Sequence, residues 1–325
     1  MYNVQIIGTG SYAPGNIVSN DFLATFMDTN DEWISGRTGI KERRISIDEN
    51  TSDLAIKASI KAIEEAKINP QDIDLIIVAT ATPDYFFPST ACIVQKKIGA
   101  KNATCFDLSA ACTGFVYGLN VATQFIKSGQ SKTVLLIGAE TISKSLNWQD
   151  RKTCVLFGDG AGAAVLTRGE EGIISIYTGS DGDGAEFLEY AAPQLRNIFT
   201  NNSEESNNYL KMQGGEVFKF AVKIIIQCIE KVLEESNYGI EEIKYIVPHQ
   251  ANIKIIESSA KKLGIDKEKF FMNIAEYGNT SAASIPLALD QMNKQGLLQD
   301  GDKIITVGFG GGLTYGAALI EWKNN

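Results

Sequence analysis

Three side chains of this 325-residue chain could together carry covalent acyl chemistry: Cys112, His249 and Asn279. Cys112 lies in Asp107-Leu108-Ser109-Ala110-Ala111-Cys112-Thr113-Gly114-Phe115. His249 lies in Val247-Pro248-His249-Gln250-Ala251-Asn252, and Asn279 in Glu276-Tyr277-Gly278-Asn279-Thr280-Ser281. His249 is the only histidine, so any mechanism that needs two imidazoles is excluded. A lone histidine is more often structural than catalytic, and here its company decides. A thiol, an imidazole and an amide, each in a turn rich in small residues, make a site for acyl transfer through a covalent intermediate.

Each group has a distinct use. At the start of a helix, Cys112 would meet unpaired backbone N–H groups and the positive end of the dipole. That position lowers a thiol pKa from its usual value of about 8.5 and increases the thiolate fraction. Ala110, Ala111 and Gly114 leave room for a substrate to approach. His249 and Asn279 can both donate to a thioester oxygen as it gains negative charge, which stabilises an enolate in a water-excluded site.

The elements that must position these groups come in two similar sets. A helical segment from Ser52 to Ala66 leads to the β-branched run Ile73 to Ala79. Later, a helix from Val217 to Glu235 leads to Ile243 to His249. Apolar residues recur at three- and four-residue steps in both helices, and both runs suit buried parallel strands. Downstream, the strand Ala103 to Asp107, the Cys112 turn, a helix through Ile126 and the strand Thr133 to Gly138 follow in order. Their counterparts are Phe270 to Asn273, the Asn279 turn, a helix through Met292 and the strand Lys303 to Gly308.

The expected fold class is therefore α/β, with two duplicated β-α-β-α-β halves, residues 1–170 and 171–325, and mostly parallel sheets. Active sites in such sheets gather at the carboxyl ends of strands, where all three turns fall. Ala185 to Asn208, polar and Asn-rich, breaks the pattern and is expected to be a surface excursion.

Composition narrows the function classes. The chain is 44% hydrophobic and 21% charged, as in an ordinary globular protein. A net charge of −9 opposes a broadly basic nucleic-acid binder. The five cysteines, Cys92, Cys105, Cys112, Cys154 and Cys228, form no metal-type cluster, and no metal is expected. With no signal-like N-terminus and no unbroken apolar span, reduced thiols in the cytoplasm and no membrane insertion are expected. The apolar stretch Ile304 to Ile320 is repeatedly interrupted by glycine and suits a tight loop between two strands. Gly158-Asp159-Gly160-Ala161-Gly162 lacks the context of a dinucleotide loop.

On these residues the chain resembles the β-ketoacyl-acyl carrier protein synthase III family, the initiating condensing enzymes of type II fatty acid synthesis, within the thiolase-like superfamily. The likeness runs through Asp31-Glu32-Trp33-Ile34, Arg37-Thr38-Gly39-Ile40, the Cys112 turn, Leu156 to Ala161, His249 to Asn252, Gly278 to Ser281 and Gly308 to Gly316. The resemblance implies a layered αβαβα architecture. It implies that Cys112 takes a short acyl group, acetyl first, from acyl-CoA, with coenzyme A thioester as substrate and no bound cofactor. His249 and Asn279 would then promote decarboxylation of malonyl-acyl carrier protein, and the N–H groups of Cys112 and Gly311 would form the oxyanion hole. Trp33 and Arg151 would sandwich the CoA adenine, with Arg37 and Asn252 on other parts of CoA. Phe87 would reach into the partner's acyl pocket in a homodimer. Lys219, Lys254, Lys261 and Lys262 would form a basic face for the acidic carrier protein.

Other readings fit less well. Elongating condensing enzymes use Cys-His-His, which one histidine excludes. Thiolases carry a second cysteine in the C-terminal Gly-rich motif, and no cysteine follows Cys228. The Cys-Gly-Ser-Cys-Trp context of a papain-like hydrolase is missing. A condensing or acyl-transfer enzyme of secondary metabolism, of quinolone or polyketide type, is the alternative that keeps every motif.

Overall fold

The computed structural model describes residues 3–195, 197–199 and 208–323. Most of the Asn-rich run, residues 201–207, lies outside the described residues.

Two sheets carry the architecture. The first is five-stranded, in the order Asn3–Tyr12, Gly160–Gly169, Thr133–Glu140, Leu75–Ala79, Thr104–Leu108. The second is four-stranded, in the order Ile243–Pro248, Lys303–Gly310, Thr314–Glu321, Ile173–Ser180. Without its edge strand Thr104–Leu108, the first order matches the second strand for strand, so the repeat read from the sequence is a repeat in space. Leu75–Ala79 is buried at every position, the pattern of a strand covered on both faces.

Helices form the other three layers. Gly114–Lys127 and Ser284–Lys294 lie between the sheets, and one apolar cluster joins them to both. Phe115, Leu119 and Ile126 on the first of these are fully buried; truncating such a Phe to Ala typically costs about 3–5 kcal/mol. Thr51–Ala66 and Thr90–Ile98 cover the outer face of the first sheet. Gly214–Ser236 and Ile253–Leu263 cover that of the second. The result is the layered αβαβα arrangement.

Two expectations need correction. The sheets are mixed, because each half adds antiparallel strands to its parallel centre. Leu75–Ala79 pairs in parallel with both neighbours, while Thr133–Glu140 with Gly160–Gly169 is antiparallel, as is Lys303–Gly310 with Thr314–Glu321. The latter hairpin accounts for the glycine-interrupted stretch. Phe270 to Asn273 is also no strand: it contributes one isolated bridge, Ile246 to Phe270. A single pairing leaves that edge of the second sheet without a ladder.

The halves touch closely at glycine positions. A Cβ on Gly138 would lie 2.2 Å from the Ala282 carbonyl oxygen. Glycine there lets the Asn279 turn of one half sit directly on a strand of the other.

Candidate active site

Cys112 sits in a single 3₁₀ turn, Ala111–Thr113, that runs into helix Gly114–Lys127. Ala111 adopts φ 45°, a left-handed conformation that non-glycine residues rarely hold. The matching turn, Ser281–Ala283, opens with Ser281 at φ 50° and runs into Ser284–Lys294. Such strain costs about 1–3 kcal/mol per residue and clusters at functional sites. The two turns pack against each other, and the first also packs against Gly310, where a Cβ would lie 2.7 Å from the Cys112 nitrogen.

The expected acidic thiol is corrected. Burial dominates and pushes the Cys112 thiol up to about 12 in the resting protein, against weaker downward pulls from the Ser281 hydroxyl and its own N–H. A helix start favours the thiolate, but burial opposes it more strongly.

His249 follows strand Ile243–Pro248 and is buried. Its backbone N–H donates to the Val307 carbonyl at 2.8 Å, and Nδ1 lies 2.7 Å from Ser284 Oγ. Phe309 meets the ring edge to face at 5.2 Å. Burial lowers the imidazole pKa to about 3, so it is neutral at pH 7. A neutral ring whose Nδ1 accepts from the Ser284 hydroxyl keeps its hydrogen on Nε2, the tautomer that can donate into the cavity.

Asn279 is clamped through its backbone: its N–H donates to Leu156 O at 2.8 Å, and its carbonyl accepts from Gly158 N–H at 3.0 Å. Its Oδ1 accepts from Ser281 N–H at 2.9 Å. That bond fixes the amide and leaves the NH₂ as the free end.

The three residues line one narrow cavity of about 120 Å³, with Asn252, Met212 and Phe309. Cys112 also borders a second cavity of about 350 Å³, bounded by Ala81, Ile142, Leu210, Tyr190 and Gly311. The thiol thus stands where a passage meets a mostly apolar pocket.

Other expected site residues are distributed around this centre. Trp33, on helix Asp31–Thr38, has the Arg37 guanidinium 5.0 Å and that of Arg151 5.1 Å from its ring centroid. Arg151 is also held by Asp28, through the Asp28 carbonyl and its carboxylate at 3.3 Å. Asn252 spends its side-chain oxygen capping helix Ile253–Leu263, accepting from Lys254 N–H at 2.8 Å. Phe87 is 86% exposed and, with exposed Tyr85 and Phe86, borders a surface cavity of about 590 Å³. Lys219, Lys254, Lys261 and Lys262 lie on two helices packed together, Gly214–Ser236 and Ile253–Leu263. Lys219 pairs with Glu216 at 2.8 Å and Lys254 with Glu257 at 3.1 Å, which partly neutralises that face.

Sequence reasoning missed several participants. The excursion is anchored by strand Leu188–Glu189 pairing with Lys211–Met212, and Leu188 borders both cavities. Ser284 and Phe309, which hold the His249 ring, carried no signal beyond position near a motif. Glu140, fully buried at the end of strand Thr133–Glu140, also went unnoticed. Burial raises its pKa against hydrogen bonds from Thr82, Ser281, Ala81 and Thr80. No helix among the described residues is long and apolar enough to cross a membrane.

Residues 106–182 match the model of the 3-oxoacyl-[acyl-carrier-protein] synthase III family, and residues 233–322 match its C-terminal model. A β-ketoacyl-[acyl-carrier-protein] synthase III of Clostridium acetobutylicum is 59% identical over 323 residues, covering 99% of each chain. Among solved structures, the 3-oxoacyl-[acyl-carrier-protein] synthase III of Aquifex aeolicus is 47% identical with a TM-score of 0.92, covering 98% of this chain and 100% of that one. The priming β-ketosynthase of the R1128 polyketide biosynthetic pathway is 35% identical with a TM-score of 0.93, covering 100% and 98%.

Proposed function

The chain belongs to the 3-oxoacyl-[acyl-carrier-protein] synthase III family, and from that premise we propose how its residues divide the reaction. The enzyme is a condensing acyltransferase that joins an acyl-CoA primer to malonyl-acyl carrier protein and initiates fatty acid synthesis. Cys112 attacks the primer thioester and keeps the acyl group, and CoA leaves. The neutral His249 and the Asn279 NH₂ then donate to the malonyl thioester oxygen while CO₂ departs. The resulting carbanion attacks the acyl-Cys112 carbonyl and gives the 3-oxoacyl product. The N–H groups of Cys112 and Gly311 hold the oxyanion. A neutral imidazole suits this role, because it can donate without bringing a positive charge into the buried site.

The observation that carries this reading is the single cavity shared by Cys112, His249 and Asn279. The apolar pocket beyond Cys112 supports a short acyl primer, acetyl first. Trp33, Arg37, Arg151 and Asn252 serve CoA. A base stacked between Trp33 and Arg151 needs more than their present 5.1 Å, so Arg151 must leave Asp28 and swing outward. The exposed Tyr85-Phe86-Phe87 run supports a homodimer with Phe87 at the partner's pocket. Lys219, Lys254, Lys261 and Lys262 receive the carrier protein. Residues 1–170 and 171–325 act as duplicated halves, and the protein works in the cytoplasm.

Intact-mass measurement after incubation with acetyl-CoA tests the nucleophile. Wild type should gain one acetyl group and Cys112→Ser none; full acylation of Cys112→Ser would sink the assignment. The likeness to a polyketide priming enzyme favours one second reading, a primer for secondary metabolism. A panel of acyl-CoAs separates the two by which primer loads fastest.

A further inference from the structure

Ser284 has no place in the reaction just described, yet its hydroxyl is the one polar group that meets the His249 ring. It is the first residue of helix Ser284–Lys294, and both residues are only 2% exposed. Ser284 Oγ lies 2.7 Å from His249 Nδ1. The same oxygen accepts from the Gln250 N–H at 3.4 Å, which occupies one of its lone pairs. That N–H is itself held in place, because the Gln250 side chain donates to the Pro248 and Phe271 carbonyls and accepts from the Asn273 N–H.

This arrangement fixes the direction of the bond. The buried ring is neutral and carries one N–H hydrogen. Among the described residues, Nδ1 is the one acceptor that the Ser284 hydroxyl meets. A ring protonated on Nδ1 would make Ser284 Oγ accept twice and leave its own hydrogen buried without a partner, which is costly. Nε2 has no partner among the described residues, and the ring borders the narrow cavity that Cys112 and Asn279 share.

The internal repeat separates this role from helix building. Helix Gly114–Lys127 begins at the matching position with a glycine, where a Cβ would lie 2.9 Å from the Ala79 Cβ. The first half closes that position against its own strand. The second half opens it to a serine that meets the histidine.

We propose that Ser284 is a positioning residue for decarboxylation: by donating to Nδ1 it keeps the His249 hydrogen on Nε2, for the malonyl thioester oxygen. This role rests on His249 being the donor to that oxygen. No proton changes hands at the imidazole. The bond between the malonyl α-carbon and its carboxylate carbon breaks, CO₂ leaves, and the electron pair moves into the enolate. Nε2–H and the Asn279 NH₂ hold the enolate oxygen. Both donors are then set in the same way. The Asn279 acceptor end is tied by the Ser281 N–H at 2.9 Å, and the His249 acceptor nitrogen by the Ser284 hydroxyl. Each is left with its donor end free.

The lone histidine makes the test direct, because protein grown with isotope-labelled histidine reports on this ring alone. Long-range proton–nitrogen NMR spectra of the full-length wild type should show Nε2 protonated and Nδ1 bare. In Ser284→Ala the Nδ1-protonated form should appear. The same variant should slow malonyl-thioester decarboxylation, measured on enzyme already acylated, about tenfold, the worth of one buried hydrogen bond, while single-turnover loading from acetyl-CoA stays within about twofold. Decarboxylation at the wild-type rate would overturn the proposal, as would a slower rate with Nε2 still the only protonated nitrogen. A fall in loading as large as that in decarboxylation, or a wild type protonated on Nδ1, would overturn it too. If Ser284→Ala does not fold, Ser284→Gly, which installs the residue of the matching position, is read in the same way. Wild-type decarboxylation in His249→Ala would refute His249 as the donor rather than Ser284 as its partner.

Discussion

The turns at Ala111–Thr113 and Ser281–Ala283 share one backbone design and differ in chemistry. Both open with a non-glycine residue in the left-handed region, make one 3₁₀ turn and feed a helix buried between the sheets. In register, Cys112 stands where the second turn has Ala282, Ser281 where the first has Ala111, and Asn279 where the first has Ser109. One turn thus carries the nucleophile, while the other carries an amide donor and a hydroxyl that donates to Glu140. Repetition of a strained frame built the scaffold, and divergence of three side chains built the site. The lesson is that strain can be inherited as geometry while function is written on top of it.

That contrast can be broken most directly at the amide. Asn279→Ala should leave acyl loading within about threefold and lower condensation by about 10²–10³-fold, the effect of removing one oxyanion donor. Separate mass-spectrometric loading and product assays check it, and an equal loss in both would erase the division between the turns. Next comes Gly310→Ala, which forces a Cβ against the Cys112 nitrogen. A displacement of the nucleophile on the order of 1 Å should slow loading about 10²-fold. Unchanged loading kinetics would mean the turn has more freedom than its packing suggests.

The smallest expected effect concerns pH and stability. Burial brings folded His249 down to about 3, whereas an unfolded histidine titrates near its ordinary value of about 6.5. The unfolded chain therefore binds this proton first, and stability should fall as pH drops from about 6.5 toward 3, by at most about 1.4 kcal/mol per unit. Thermal midpoints of wild type and His249→Gln against pH check this. The variant should show the shallower acid slope.

Much of the fold was legible because its signals are local. The helical periods of Thr51–Ala66 and Gly214–Ser236, and the apolar runs of Leu75–Ala79 and Ile243–Pro248, require only burial of one face or both. Strand direction was less legible. Antiparallel additions such as Gly160–Gly169 depend on where the chain turns back, and alternation along one strand does not encode its partner. Phe270 failed as a strand because β-rich composition does not ensure a neighbour to pair with. The site followed the same rule. Cys112, His249 and Asn279 announce themselves by residue type in small-residue turns. Ser284, Leu188 and Glu140 have ordinary types, and only proximity gives them a role.

The sequence by itself determined the reactive groups, their kinds and the repeated order of elements around them, since these follow from side-chain chemistry and hydrophobic period. Only the tertiary structure decided their electrostatic state. Burial raised the Cys112 thiol, lowered the His249 imidazole and raised the Glu140 carboxyl. Desolvation depends on every atom that displaces water, and those atoms come from segments distant in the chain.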